Sequence, residues 1–188
     1  INEEIYLLES DQFENIFIVT KDNSLIKYPK NDYNNYVDFL NTENGIIEKI
    51  MIENPFRLMV FYKESQKILF LDKYLNQLNV EINLYQLLNE TIIDVANFSN
   101  LLFLISDLNK IFVYDIGRSK IVKSKNILLS EDTESINIFS NKNRIFLLEN
   151  ASIKILNHQL DILYQKEKKW VKKINKIIFD HEKIYEYS

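Results

Sequence analysis

A short apolar pattern recurs four times along the chain at a nearly constant spacing. Each copy is a β-rich run of five or six residues that ends in a charged, amide or tyrosine residue. The copies are SLIKY at 24–28, KILFLD at 67–72, KIFVYD at 110–115 and SIKILN at 152–157. Their starts are separated by 43, 43 and 42 residues. A period of this length indicates copies of one supersecondary unit, because a unit this small cannot bury its apolar face alone.

Three further strands accompany each copy and predict a four-stranded unit. A second apolar run starts seven to nine residues earlier, at 16–19, 58–61, 102–105 and 145–148. Short turn-like segments rich in Asp, Asn and Ser connect the two runs, which predicts a hairpin. Upstream apolar runs lie at 5–8, 50–52, 92–95 and 136–139, and more polar, alternating segments follow at 77–82, 120–123 and 160–164. The unit therefore has four antiparallel strands, with the most exposed strand last.

Four antiparallel strands in every 40 to 45 residues predict an all-β fold, a β-propeller of four-stranded antiparallel blades. The second and third strands are almost continuously apolar, as in strands that are covered on both faces. We expect one domain over 1–188, with units at 1–43, 44–86, 87–130, 131–172 and a partial 173–188. Four full blades and a half blade leave an open sheet edge. We therefore expect an incomplete ring, residues missing from one end, or strands supplied by a partner.

The ends of the recurrent strands resemble those of a known repeat family. At 71–72, 114–115 and 156–157 they are similar to the end of the third strand in WD-type repeats, where an aromatic residue and an aspartate stand. The Gly-His pair of WD repeats is absent, and two glycines in the chain leave no room for kelch-like or quinoprotein-like glycine signatures. The chain resembles WD-like and quinoprotein-like propellers in architecture and is similar to short secreted bacterial propellers. This resemblance implies a cell-envelope or periplasmic location after removal of a leader, and it assigns no site residue.

Composition excludes several classes of function. The formal charge of -4 and pI near 5.3 lack the basic excess that nucleic-acid binding requires. The chain has no cysteine, so disulfides, thiolate metal sites and Cys nucleophiles are excluded. No apolar run reaches the roughly 18 to 20 residues of a membrane span.

One basic segment stands out on this acidic chain. Residues 166–176 carry six lysines and the only tryptophan. The candidate partner-binding residues are Lys168, Lys169, Trp170, Lys172 and Lys173. Basic charge beside an exposed aromatic ring suits an anionic partner or a lipid surface. The alternative is a solvated link between the fourth and fifth units, with Trp170 packed between blades.

Other candidate residues have ordinary structural explanations. His158 and His181 stand in turns, at non-equivalent places in their units, and no set of ligands for a metal accompanies them. Glu48, Asp94 and Glu134 lie near first strands, where they would line a channel mouth as an acid and base or else point outward.

Two groups of residues are expected to have structural roles or to form contact surfaces. Asp72 and Asp115 end their strands, where a carboxylate accepts hydrogen bonds from the following turn. An aromatic cluster in the first unit suits either an interface or packing between blades. Its members are Tyr28, Tyr33, Tyr36 and Phe39.

The sequence thus predicts a non-enzymatic protein-interaction scaffold of β-propeller type with no cofactor and no metal. We expect a protein partner, including a strand-completing partner or a second copy at the open edge. The first alternative is a ligand-binding or hydrolytic propeller with a site in its central channel. The second is a truncated relative of a larger propeller without its own activity.

Overall fold

The computed structural model describes residues 4–128, 136–141, 144–149, 152–167, 176–180 and 183–187. Sheet 1 contains β1 (Ile5–Ser10), β2 (Ile16–Thr20), β3 (Ser24–Tyr28) and β4 (Val37–Leu40). Sheet 2 contains β5 (Ile47–Met51), β6 (Arg57–Tyr62), β7 (Lys67–Asp72) and β8 (Gln77–Asn83). Sheet 3 contains β9 (Ile92–Phe98), β10 (Leu101–Ser106), β11 (Lys110–Asp115) and β12 (Lys120–Asn126). Sheet 4 contains β13 (Ile136–Asn141), β14 (Arg144–Glu149), β15 (Ser152–Leu156) and β16 (Ile162–Glu167).

Two further strands, β17 (Lys176–Asp180) and β18 (Lys183–Tyr187), form a two-stranded sheet. In each of the four larger sheets the strands follow one another in sequence order, and every neighbouring pair is antiparallel. These sheets are the blades of a β-propeller. The prediction of an all-β propeller with four full blades and a half blade is confirmed.

The middle strands are apolar throughout because both of their faces are buried. In β6, the side chains of Leu58, Val60 and Tyr62 pack in the core cluster shared with sheet 1. The alternate residues Met59 and Phe61 pack in the cluster shared with sheet 3. Since successive side chains point to opposite faces of a strand, a strand between two sheets needs an apolar residue at every position. Each fully buried side chain of this kind contributes about 1.5 to 3 kcal/mol.

The same arrangement repeats along the chain, so the sheets stack in sequence order. Leu102 and Leu104 of β10 join the cluster shared with sheet 2, whereas Phe103 joins the cluster shared with sheet 4. Ile145 and Leu147 of β14 complete that last cluster. In the described part of the chain, the three core clusters join sheet 1 to 2, 2 to 3 and 3 to 4.

A residue before each of the first three recurrent strands ties one sheet to the next segment of the chain. Asn23, Gln66 and Asn109 all have positive φ angles, of 71°, 53° and 59°. The Asn23 Oδ1 atom accepts a hydrogen bond of 2.7 Å from the Ile47 amide, at the start of sheet 2. The buried Gln66 side chain accepts from the Ile92 amide at 2.7 Å and donates to the Ile92 carbonyl at 2.8 Å.

The outer strands differ in detail from the prediction. They were expected to alternate, but β12 and β16 are exposed along almost their whole length. An outermost strand has a neighbour on one side only, so adjacent sheets cover less of its faces than those of the middle strands. In the fourth sheet the outer strand also begins later than predicted, at Ile162. Leu160 lies in the preceding turn with a φ of 66°, and its side chain is fully buried in the core.

A single turn of helix, α1 (Leu84–Leu87), follows sheet 2 and was not predicted from the sequence. The side chain of Asn83 caps it by accepting a hydrogen bond from the Gln86 amide at 3.1 Å. Leu84 is buried in the core between sheets 2 and 3, which anchors the turn.

Candidate functional site

The first strands of sheets 2, 3 and 4 carry one polar network, which lies where a propeller has its central channel. The Lys49 Nζ atom of β5 lies 2.9 and 3.0 Å from the two carboxylate oxygens of Asp94 in β9. The same ammonium group donates to the Ile138 carbonyl of β13 at 2.7 Å. It also stands 4.9 Å from the centre of the Phe139 ring. We call Lys49, Asp94 and Ile138 the three-sheet clasp.

The clasp uses the hydrogen-bonding capacity of the Asp94 carboxylate. The Oδ1 atom accepts from Lys49 and from the Val95 amide at 2.8 Å. The Oδ2 atom accepts from Lys49 and from the Ile138 amide at 2.8 Å. A carboxylate that already accepts four hydrogen bonds has little capacity left to take a proton from a substrate or to position a water.

Of the other two carboxylates considered for the channel, the structure describes Glu48, which forms no pair with Asp94. Glu48 is exposed, and its negative charge acts on Tyr6. Burial, with a smaller contribution from Glu48, raises the pKa of the Tyr6 hydroxyl. Glu134 lies outside the described residues.

The two aspartates at strand ends have the structural role that the sequence predicted. The Asp72 Oδ1 atom accepts from the amides of Tyr74 and Asn76 at 2.8 and 2.9 Å. The side-chain amide of Asn76 donates to Oδ2 at 3.0 Å, and chiefly this bond lowers the pKa of the Asp72 carboxyl. The Asp115 Oδ1 atom accepts from the Arg118 amide at 3.0 Å. Both carboxylates therefore hold turns, and this prediction is confirmed.

His158 lies in the turn after β15, between two aromatic rings. Its ring centre is 5.2 Å from that of Phe98 and 5.3 Å from that of Phe103. His181 lies outside the described residues. Across the described ranges, no three His, Cys, Asp or Glu side chains come together as a potential metal site.

One face of sheet 1 carries an apolar groove. Its volume is about 460 Å³, and it is lined by Ile16, Ile18, Tyr28, Tyr33 and Tyr36. The rings of Tyr28 and Tyr36 are tilted against each other with 5.6 Å between their centres. Tyr33 and Tyr36 are more than half exposed. The tyrosines are therefore the exposed part of this groove, whereas Ile18 is buried beneath them.

The strand register explains why this face is apolar. Ile16 pairs with Tyr28 and Ile18 with Ile26, so these four side chains share one face of sheet 1. Leu8 of β1 pairs with Ile18 on that face and is about half exposed. We call this surface the open face. Its members are Leu8, Ile16, Ile18, Ile26, Tyr28, Tyr33 and Tyr36.

The predicted aromatic cluster is divided between the two faces of sheet 1, which corrects the sequence interpretation. Tyr28 and Tyr36 belong to the open face, as does Tyr33. Phe39 pairs with Leu25 and packs against the core shared with sheet 2. Counting alternate positions along β3 separates Leu25 from Ile26, and that signal was available in the sequence.

The central part of the basic segment singled out in the sequence, residues 168–175, is not part of the described structure. Lys168, Lys169, Trp170, Lys172 and Lys173 all lie outside the described residues, so their role as a partner surface stays a prediction. Among the helices that the described ranges contain, none has the length and hydropathy to cross a membrane.

Comparison with known proteins supports the fold. No protein-family model and no curated protein matches the sequence. Among solved structures, BBS1N in complex with ARL6DN is 7% identical with a TM-score of 0.67, over 96% of this chain and 60% of that one. The Neurospora crassa Pan2 WD40 domain is 12% identical with a TM-score of 0.61, over 88% of this chain and 50% of that one. Streptogramin B lyase is 15% identical with a TM-score of 0.65, over 89% of this chain and 56% of that one.

These similarities are to proteins of different activities, and at such low identity they show the fold alone. The chain spans between half and three fifths of the length of the three matched chains.

Proposed function

We propose that this propeller is a non-enzymatic protein-interaction scaffold and that the open face of sheet 1 is its binding surface. The observation that carries the proposal is an apolar sheet face on which Leu8, Tyr33 and Tyr36 stay about half exposed. Tyrosine is enriched at protein interfaces because it combines apolar area with a hydroxyl that forms hydrogen bonds. The open face therefore has the chemistry of a protein-binding patch.

The polar groups of the inner strands favour a scaffold that binds a partner over an enzyme with its site in the channel. Of the two candidate carboxylates that the structure describes, Glu48 and Asp94, Asp94 is the buried one, and Lys49, Val95 and Ile138 occupy its oxygens. The second candidate function is a ligand-binding or hydrolytic site in the channel, and one structural neighbour, streptogramin B lyase, is named as an enzyme. Such a site needs polar side chains with unused hydrogen-bonding capacity on several first strands. The three-sheet clasp leaves little such capacity on Asp94.

A photo-crosslinking experiment tests the proposal. The photoreactive residue p-benzoylphenylalanine replaces Tyr36 on the open face, and in a matched control it replaces Tyr85, which is exposed on α1. In cells that express the chain, we expect irradiation to yield a discrete adduct from position 36 and not from position 85. The adduct should disappear when Leu8→Asp is added to the Tyr36 variant, because an aspartate in the groove opposes apolar packing.

The result against the proposal is equally specific. If positions 36 and 85 give the same adducts, or if Leu8→Asp leaves the adduct at 36 unchanged, the open face is not a selective protein-binding surface.

A further inference from the structure

The groove of the open face has an aromatic wall above a buried aliphatic floor. Tyr33 and Tyr36 are 59% and 54% exposed, whereas Ile18 is 4% exposed. The ring of Tyr28 stands against that of Tyr36, with 5.6 Å between ring centres and 42° between ring planes. A ligand that enters the groove therefore meets tyrosine rings first. The face of an aromatic ring carries negative electrostatic potential, so these rings attract cations as well as apolar groups.

The surroundings of the groove are acidic. Residues 4–40, which contain sheet 1, carry seven acidic and three basic side chains, a net charge of -4. Asp38 pairs with Ile26 across β3 and β4, which places it on the side of the sheet that carries the open face. It is thereby a diagonal neighbour of Tyr28, at a distance of about 7 to 8 Å. The Asp38 side chain is exposed, and no described residue donates a hydrogen bond to its carboxylate or forms an ion pair with it.

The lysines of this part of the chain are engaged elsewhere. Lys21 and Lys30 each form an ion pair with a glutamate. Lys27 donates a hydrogen bond to the Lys73 carbonyl at 2.8 Å and lies 5.5 Å from the centre of the Phe17 ring, on the side of sheet 2. The carboxylate of Asp38 and the tyrosine rings are therefore left for a cation that does not come from residues 4–40.

We propose that the groove of the open face binds an arginine side chain of a partner protein. This inference rests on the proposed function and names the chemistry of the partner. A guanidinium group is planar, stacks on aromatic faces and donates paired hydrogen bonds to a carboxylate, so it uses the tyrosine rings and Asp38 together. Tyrosine and arginine are also enriched among the residues that contribute most to binding at protein interfaces.

Two matched peptides test the inference on the 188-residue chain. The first is an acetylated and amidated pentapeptide in which arginines alternate with glycines. The second carries citrulline in place of each arginine, which keeps the shape of the side chain and removes its charge. Binding is followed by NMR titration, because single contacts of this kind are weak. We expect the arginine peptide to bind about fivefold more tightly than the citrulline peptide, with weaker binding at high ionic strength.

Variants of the groove separate its two contributions. Tyr36→Leu removes a ring but keeps an apolar side chain, and Asp38→Asn removes the charge. Each should weaken binding of the arginine peptide about two- to fivefold, as the energies of exposed cation–π contacts and ion pairs imply. Tyr36→Phe keeps the ring face and should retain most of the binding. The matched controls Tyr85→Leu and Asp107→Asn, at exposed positions outside sheet 1, should leave it unchanged, and circular dichroism verifies that all variants fold.

Three outcomes overturn the inference: equal affinity for both peptides, no binding of either peptide at millimolar concentration, or equal losses in the groove variants and the controls. The crosslinking experiment at Tyr36 then separates this inference from the proposed function. A selective adduct at position 36 without a preference for the arginine peptide leaves the proposed function standing with a partner of different chemistry. Absence of both the adduct and the preference removes both proposals.

Discussion

Removal of the Asp94 carboxylate should strongly destabilise the fold, because the three-sheet clasp depends on it. In Asp94→Ala, the Lys49 ammonium group keeps the Ile138 carbonyl at 2.7 Å and the Phe139 ring, but it loses its counter-charge. The amides of Val95 and Ile138 lose the acceptor oxygens that lie 2.8 Å away. The lysine would then lack a counter-charge, and the two amides would lack these acceptors, inside the stack.

The magnitude follows from the burial of the pair. Breaking a buried ion pair by removing one partner costs about 3 to 5 kcal/mol. The Lys49 side chain is 22% exposed and that of Asp94 is 9% exposed, so water partly solvates the lysine that remains. We therefore expect a loss near the lower limit, about 3 kcal/mol. For a chain of this size, such a loss lowers the melting temperature by about 6 to 12 °C.

This effect is measured by urea unfolding of four proteins: the natural chain, Asp94→Ala, Lys49→Met and the double variant. Lys49→Met should cost less than Asp94→Ala, because Asp94 keeps its two backbone donors. The double variant should be more stable than the sum of the single changes predicts, by about 1 to 3 kcal/mol, since neither charge is left alone. A loss below about 1 kcal/mol in Asp94→Ala, with an unchanged m value, would refute the reasoning.

Three further predictions concern other described side chains. Tyr62→Phe should leave the free energy of unfolding unchanged or raise it by up to about 1 kcal/mol in urea unfolding, because the fully buried Tyr62 hydroxyl has no hydrogen-bond partner among the described residues. Gln66→Ala should lower that free energy by about 2 to 3 kcal/mol, since the Ile92 amide and carbonyl lose their partners, whereas exposed Gln77→Ala should change it by less than about 0.5 kcal/mol. Asp72→Asn should be less stable than the natural chain near neutral pH. Because the turn holds the pKa of Asp72 below its ordinary value of 3.8, the advantage of the charged form is present above that value and fades as acid titration passes below it. Equal stability differences for this variant at neutral pH and in strong acid would contradict the assignment.

The repeat predicted most of the architecture because it depends on local, periodic information. Continuous apolar runs such as 58–61 and 102–105, bounded by turn residues at a regular spacing, favour middle strands that are buried on both faces. The hairpins follow from the same spacing, and their turn residues Asn23 and Asn109 adopt the positive φ angles that asparagine tolerates.

The candidate sites were less predictable because they depend on how separate units are aligned. Lys49 and Asp94 are 45 residues apart, and the Lys49–Asp94 contact was not predicted. A shift of register between Ile47 and Lys49 changes which side chains of β5 face the channel, and no simple pattern in the sequence marks it. The open face was missed for a different reason. Its apolar residues look like core residues until the stack shows that, within the described ranges, the core clusters join each sheet only to its neighbours in the chain.

The three-sheet clasp couples the unfolding of sheets 2, 3 and 4 more strongly than that of sheet 1. In a simple array each sheet interacts only with its neighbours, and stability is a sum of nearest-neighbour contributions. Lys49 reaches past this limit, because its ammonium group contacts both Asp94 in sheet 3 and Ile138 in sheet 4. Sheets 2, 3 and 4 therefore open together, whereas sheet 1 can separate from sheet 2 without disturbing the clasp. Since a ligand stabilises the state that it binds, a partner on the open face would suppress this local opening and extend the cooperative unit to sheet 1.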